Sequence, residues 1–263
     1  MKLFAGCELL YEVPAPAPVV LMLRPRSGAG QWVISEEYQI EPSIPVIEYT
    51  DPYGNLCQRL MAPEGKFKIQ ISLVVETADE IDTAPGAPFV PVQDLPDDTL
   101  QFLLPSRYCQ SDRLGALAAE ITETALPGYD QVEAIRNWIQ TRVTYQYGTS
   151  DASTSAVETA EKRIGVCRDF AHLGISLCRS INIPARMVVG YLHLLEPMDL
   201  HAWFEAFIDG RWYTFDATQK EPRGNRIVVA YGRDAADVAL ATQYGAMTLE
   251  EMRVWVEEKK IDG

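Results

Sequence analysis

The sequence predicts an α+β protein, with an all-β, sandwich-like region over residues 1–95 followed by a helix-then-strand region over 96–263. Three observations predict it. Short strand-like runs broken by Pro and Gly fill the first 80 residues. Helical patterns cluster between residues 111 and 180. From Ala185 onward the pattern returns to strands.

Four early runs have strand character: VVLMLRP, QWVISEEYQIEP, PVIEYTDPYGNLCQRLMAP and GKFKIQISLVVETAD. In the last, KFKIQISLVV alternates polar and apolar residues, as a strand with one buried face does. DPYGN carries Pro, Gly and Asn at turn spacing. Residues 80–105 hold DEIDTAPGAPFVPVQDLPDD, whose prolines and acids predict an ordered linker or crossing arm. SDRLGALAAEITETAL then predicts a helix with Ser111 as N-cap, ended by Pro127-Gly128. YDQVEAIRNWIQTRV sets Val132, Ile135, Ile139 and Val143 on one helical face. TYQYG is a short extended piece and SAVETAEKR a short helix. GVCRDFAHLGISLCRSINIPAR predicts a longer, more apolar helix that opens near Cys167. ARMVVGYLHLL, LHAWFEAFIDGRWYTFDAT and RIVVAYG read as strands, and DAADVALATQYG as a short helix or turn. MRVWVEEK, with Met252, Val254 and Val256 alternating, reads as a last strand.

Composition narrows the function classes. At 263 residues and 47% hydrophobic, the chain can build a sizeable core. Its net charge of -14 repels nucleic acid and anionic membranes, so neither is an expected partner. The five cysteines, Cys7, Cys57, Cys109, Cys167 and Cys178, are sparse and show no CxxC pairing, which argues against a disulfide framework or a zinc site. No calcium loop of the DxDxDG type and no phosphate-binding glycine loop is present, so no metal or cofactor is expected. There is no apolar run long enough to cross a membrane, and MKLFAGCELLYEV meets Glu8 too early for a signal peptide. A cytoplasmic location is expected.

Cys167 is the first chemical candidate. A cysteine at a helix start is either a small apolar packing residue or a nucleophile, because the helix start favours a thiolate. A cysteine nucleophile needs a base, and the chain has only His172, His193 and His201. His172 falls five residues after Cys167 on the same helix, points away from it, and reads as structural. His201 opens HAWFEAFIDGRWYTFDAT, in which Asp209-Gly210 is a two-residue hairpin signal. With that turn, Ile208 pairs with Arg211, and His201, Trp203, Asp216 and Thr218 share one face of the hairpin. His201 and Asp216 then become diagonal neighbours within side-chain reach. A register slip of one residue would instead send Asp216 to the core face.

These segments, GVCRDFAHLGISLCRSINIPARMVVGY followed by HAWFEAFIDGRWYTFDAT, resemble the transglutaminase-like (thiol protease-like) superfamily. The resemblance is sharpest over residues 130–220. WIQTRVTYQYG, SAVETAEKRIGVC and RIVVAYGRDAADVA also look like bacterial members, and EYTDPYGNLCQRL resembles the β-sandwich those members carry at the N-terminus. The resemblance implies a papain-like core with a Cys, His, Asp triad in that chain order. Carried over residue by residue, Cys167 is the nucleophile, His201 the general base and acid, and Asp216 the orienting carboxylate. The Cys167 N–H would supply one oxyanion donor, with Tyr145 or Tyr147 as the second and Trp138 read as core. Trp203 either lines the substrate groove or shields the His–Asp bond. Cys178 reads as core, Arg168 and Asp169 as a local pair or helix cap, and RDAADV as a solvated face.

The implied chemistry is acyl transfer on a protein or peptide substrate. With water as acceptor the enzyme is a cysteine protease or amidase; with an amine it is a transglutaminase. A non-catalytic binding module on the same fold is the alternative of a different class, and the presence of all three triad residues argues against it. Bacterial members of the family are described as cysteine proteases, which puts hydrolysis first.

Overall fold

The computed structural model describes residues 1–28 and 30–259. In chain order they form β1 (Lys2–Val13), β2 (Ala17–Arg24), β3 (Gln31–Glu41), β4 (Val46–Thr50), β5 (Leu56–Ala62) and β6 (Gly65–Thr77). There follow α1 (Gly115–Thr122), α2 (Tyr129–Arg142), β7 (Thr144–Tyr145), α3 (Ala156–Lys162), β8 (Ile164–Gly165) and α4 (Cys167–Ser180). The chain closes with β9 (Ala185–Leu192), β10 (His201–Ile208), β11 (Arg211–Phe215), β12 (Arg226–Gly232), β13 (Ala241–Gln243) and β14 (Thr248–Glu258). Three four-stranded sheets run in the orders β14-β1-β6-β3, β13-β2-β5-β4 and β11-β10-β9-β12.

The first two sheets make the β-rich N-terminal region. Burial has period two: Leu3, Ala5, Cys7 and Leu9 of β1 and Phe67, Ile69, Ile71 and Leu73 of β6 all face inward. The sequence assignment placed everything after residue 95 in the catalytic region, C-terminal strands included, and here the structure corrects it. β14 pairs antiparallel with β1 from Leu3↔Glu258 to Glu12↔Thr248, and β13 pairs with β2. The physical reason is the long edge that β1 would otherwise expose, a row of unpaired N–H and C=O groups. β14 covers it and sends Val256 into the core. Residues 260–263 of that assignment lie outside the described residues.

Residues 80–110 cross the molecule as an arm with short 3-10 turns at Val92–Asp94 and Asp97–Leu103, and Leu95, Thr99 and Phe102 anchor it by burial. Ser111 does not cap α1. It opens a separate 3-10 turn, Ser111–Arg113, and Leu114 precedes the helix. Buried Arg179, in the last turn of α4, ties the arm down: its guanidinium donates to the carbonyls of Leu104, Ala185 and Arg233 and to Ser106 Oγ.

The third sheet carries the site. α4 lies against β10 and β9 and is buried continuously from Asp169 to Arg179, its polar side chains Asp169, His172, Ser176 and Arg179 included. Gly174 permits the close approach: a Cβ there would stand 2.4 Å from the Phe204 ring. Asp209 and Gly210 both have positive φ, 47° and 82°, which is the primed hairpin turn that the sequence signals. Ile208 pairs with Arg211 and Phe204 with Phe215, so the register is the one that brings His201 and Asp216 to a common face. On the sheet's outer edge, β12 is closed by side-chain amides of the sandwich. Gln31 exchanges hydrogen bonds with Val228 N–H and C=O (2.7 and 2.9 Å), and Asn55 does the same with Tyr231 (2.9 and 2.7 Å). These four bonds join the third sheet to the first two.

Cys178, fully buried in α4, is a packing residue. Cys178→Ala is expected to cost about 1 kcal/mol of stability with Cys167 reactivity unchanged, measured by urea denaturation and thiol alkylation.

Candidate active site

Cys167 is the first residue of α4, and Val166 is its N-cap. The local sequence fixes this start. The buried Asp169 carboxylate accepts the Val166 N–H at 2.9 Å and pairs with Arg168 at 3.1 Å. Arg168 also donates to the Asp151 carbonyl at 2.5 Å. Arg168 and Asp169 are thus both pair and cap, with Asp169 in the interior. Cys167 alone of the five cysteines is not buried, and all five are free.

The short β7–β8 pair sets one wall. Gln146 N–H donates to Gly165 C=O at 2.9 Å, which draws Tyr145 alongside the helix start. The Tyr145 hydroxyl lies toward the Cys167 backbone N–H. Burial, then the adjacent thiol and Tyr147, push its pKa well up. Tyr147 packs edge-on against Tyr145, with centroids 5.4 Å apart, and is half exposed. Trp138 packs at the rim of the core under the Arg163 guanidinium, 4.1 Å from its ring.

The hairpin sets the other side. His201 Nε2 lies 2.8 Å from Asp216 Oδ2, and both side chains are buried. Nδ1 remains for the thiol side of the ring. Asp216 Oδ1 accepts both the Thr218 N–H (3.0 Å) and hydroxyl (2.7 Å). Oδ2 is shared with the buried Arg226 guanidinium, whose Nη2 is 2.9 Å away. Every face of the carboxylate is therefore occupied. Burial alone would lower the His201 pKa, but the Asp216 charge and hydrogen bond and the adjoining Cys167 thiol outweigh it, and it is pushed up to about 9. Burial opposes ionisation of Asp216, yet His201, Arg226 and the Thr218 hydroxyl hold it well below the usual carboxylate range.

Trp203 is 1% exposed and stacks beside His201, with centroids 6.0 Å apart, and it also borders a cavity shared with Arg186, Glu205 and Arg226. RDAADV is not a solvated face either. Asp234 is buried and accepts the Tyr108 N–H, and the Ala235 N–H donates to His172 Nε2 at 3.1 Å. That bond gives His172 its structural role, under a stacked Tyr108. The turn is a buried brace for α4, because an acid that accepts backbone N–H groups can be interior.

Sequence reasoning placed Thr218 on the correct face without a role and missed Arg226. The signal for Arg226 was one cation opening the otherwise apolar strand RIVVAYG. Asp199, in the loop before β10, was also unforeseen. It faces His201, and burial raises its pKa.

His172 gives a pH prediction. Burial, reinforced by Arg168, lowers its pKa to about 4 against the pull of Asp234. The unfolded chain takes up this proton near 6.5 and the folded chain only near 4, so protons favour unfolding across that window. Stability is expected to fall as pH drops from 6.5 to 4, and His172→Gln to flatten that slope in urea denaturation.

Among the described residues no cluster of three or more His, Cys, Asp or Glu side chains could hold a metal ion, and no helix is long and apolar enough to cross a membrane.

The fold and the sequence both match known proteins. The transglutaminase-like superfamily core model matches residues 115–217, and the bacterial transglutaminase-like N-terminal region model matches residues 11–76. The crystal structure of a putative cysteine protease from Cytophaga hutchinsonii superimposes with a TM-score of 0.89 at 37% identity, over 100% of this chain and 92% of that one. The uncharacterized protein ML0607 of Mycobacterium leprae is 30% identical over 254 residues, 91% of this chain and 90% of the relative. Rv2569c of Mycobacterium tuberculosis is 30% identical over 249 residues, 82% of this chain and 77% of the relative. Cys167, His201 and Asp216 all fall inside the matched core. With the N-terminal region also matched and relatives aligned over most of its length, the chain belongs to the transglutaminase-like superfamily.

Proposed function

We propose that the protein is a thiol acyl-transfer enzyme that hydrolyses peptide or carboxamide bonds, a cysteine protease or amidase. The observation that carries this reading is the 2.8 Å His201–Asp216 contact standing beside a thiol at the first residue of α4. Cys167 sulfur attacks the carbonyl carbon of the substrate, and its proton passes to His201 Nδ1. The carbonyl oxygen becomes an oxyanion, met by the Cys167 backbone N–H and the Tyr145 hydroxyl. Collapse breaks the C–N bond, His201 protonates the departing amine or ammonia, and a thioester remains. Water then attacks the thioester, giving a proton to His201, and the carboxylate leaves as the thiol is restored. Asp216 keeps Nε2 facing inward throughout and stabilises the imidazolium.

Water as the acceptor is supported by the likeness to the Cytophaga hutchinsonii chain, whose name describes a cysteine protease. The same proposal takes protein or peptide as the substrate and the cytoplasm as the location, given five unpaired cysteines. The test is a panel of peptides and benzyloxycarbonyl-Gln-Gly, with and without hydroxylamine, read by mass spectrometry and ammonia release. The proposal expects hydrolysis that hydroxylamine leaves largely unchanged. A hydroxamate in place of the hydrolysis product would instead make the protein an amine transferase, and no turnover on any member would favour a binding module.

A further inference from the structure

Arg226 opens β12 opposite Leu192 and runs inward beneath the hairpin. It is 8% exposed. Its Nε donates to the Arg223 carbonyl at 2.8 Å, and its guanidinium carbon lies 4.9 Å from the centre of the Trp203 ring. Neither Nη atom has a hydrogen-bond partner of good geometry, and both are sealed from solvent. Among the described residues the only anion within ion-pair distance is Asp216 Oδ2, the oxygen that also holds His201. A buried cation with one counter-ion is a costly arrangement, and this one is spent on a carboxylate that Thr218 and His201 already satisfy.

We propose that Arg226 is a positioning residue for the Cys167–His201–Asp216 site: it pins the Asp216 carboxylate and opposes the build-up of positive charge on the imidazole. This rests on the reading of Cys167 as nucleophile. The logic is one of charge. Asp216 alone would hold His201 as a tightly bound imidazolium, a poor base. A second cation on the same oxygen divides that anion between two partners, lowers the proton affinity of the ring and returns more of it to the neutral form that can accept a proton. The other charged or titratable groups facing the pair are Cys167 from α4 and Asp199 from the loop before β10. Arg223 lies beyond Arg226, and Tyr129, Glu133 and Arg136 of α2, the last two paired with each other, stand on the far side of Asp216. None of these reaches Asp216 Oδ2.

The test is the titration of the His201 Cε1–H resonance by NMR on the full chain, which has only two other histidines. The wild-type midpoint is expected near 9. In R226Q it should rise by about one unit, and turnover of the best substrate in the panel should fall in kcat by about tenfold with KM little changed. R226K keeps the cation on a different stem, so its midpoint should stay within a few tenths of wild type while kcat falls less than in R226Q. An R226Q protein that folds with an unmoved His201 midpoint overturns the proposal. Should R226Q not fold, R226K decides: a midpoint displaced by about one unit would be equally fatal. The midpoint is read without substrate, so a protein that turns over nothing defeats the proposed function and leaves this test standing.

Discussion

Cys167→Ala is expected to lower acyl transfer by a factor on the order of 10⁴ or more and to leave the fold unchanged. The sulfur forms and breaks the covalent bond, and alanine offers no substitute. The fold survives because Cys167 is only partly buried and the start of α4 is held by Asp169, Val166 and Arg168 instead. Circular dichroism and thermal unfolding should match wild type within about 1 kcal/mol. If this variant kept its turnover while Cys178→Ala lost it, the nucleophile would have been assigned to the wrong thiol.

Asp216→Asn should slow turnover by about 10³ to 10⁴. An amide at this position presents the wrong hydrogen-bonding partner to Nε2 and no charge to the imidazolium. With the carboxylate gone, burial dominates at His201, and its protonation midpoint should fall from about 9 to below the ordinary value of 6.5. The fold should also weaken, because Arg226 is left as a buried cation without an anion, at a cost of about 3 kcal/mol. The hairpin pattern by itself gives no warning of that cost. A pH–rate profile and urea denaturation measure the two effects together. Undiminished turnover with an unchanged profile would remove Asp216 from the mechanism.

Local chemistry made much of this site legible in sequence. Asp209-Gly210 fixed the hairpin register because few residue pairs tolerate two positive φ values, and from that register the His201–Asp216 neighbourhood follows. The start of α4 could be read because Gly165 and Val166 precede a long helical pattern with no proline before Pro184. What stayed hidden depends on contacts distant in sequence. The return of β13 and β14 to the sandwich is decided by the open edges of β1 and β2, more than two hundred residues earlier. MKLFAGCELLYEV was not singled out as a strand, although its last twelve residues, Lys2–Val13, form β1 inside the first sheet, between β14 and β6. Asp234 reads as solvated until Tyr108 and His172 are placed beside it. Arg226 likewise gains its meaning only when β12 is laid next to β9 and its side chain reaches Asp216.

The most direct test of the central claim, that Cys167 is an activated nucleophile, is the rate of its alkylation by iodoacetamide near pH 7, followed by peptide mass mapping. The four other cysteines are buried, and burial pushes the pKa up at each of them, to about 11 at Cys7 and about 12 at Cys109. The account predicts that Cys167 alone is labelled in the folded chain, at least about tenfold faster than a free cysteine peptide, and that His201→Ala removes the excess rate. Labelling of Cys167 no faster than the peptide, or a rate indifferent to His201, would contradict it.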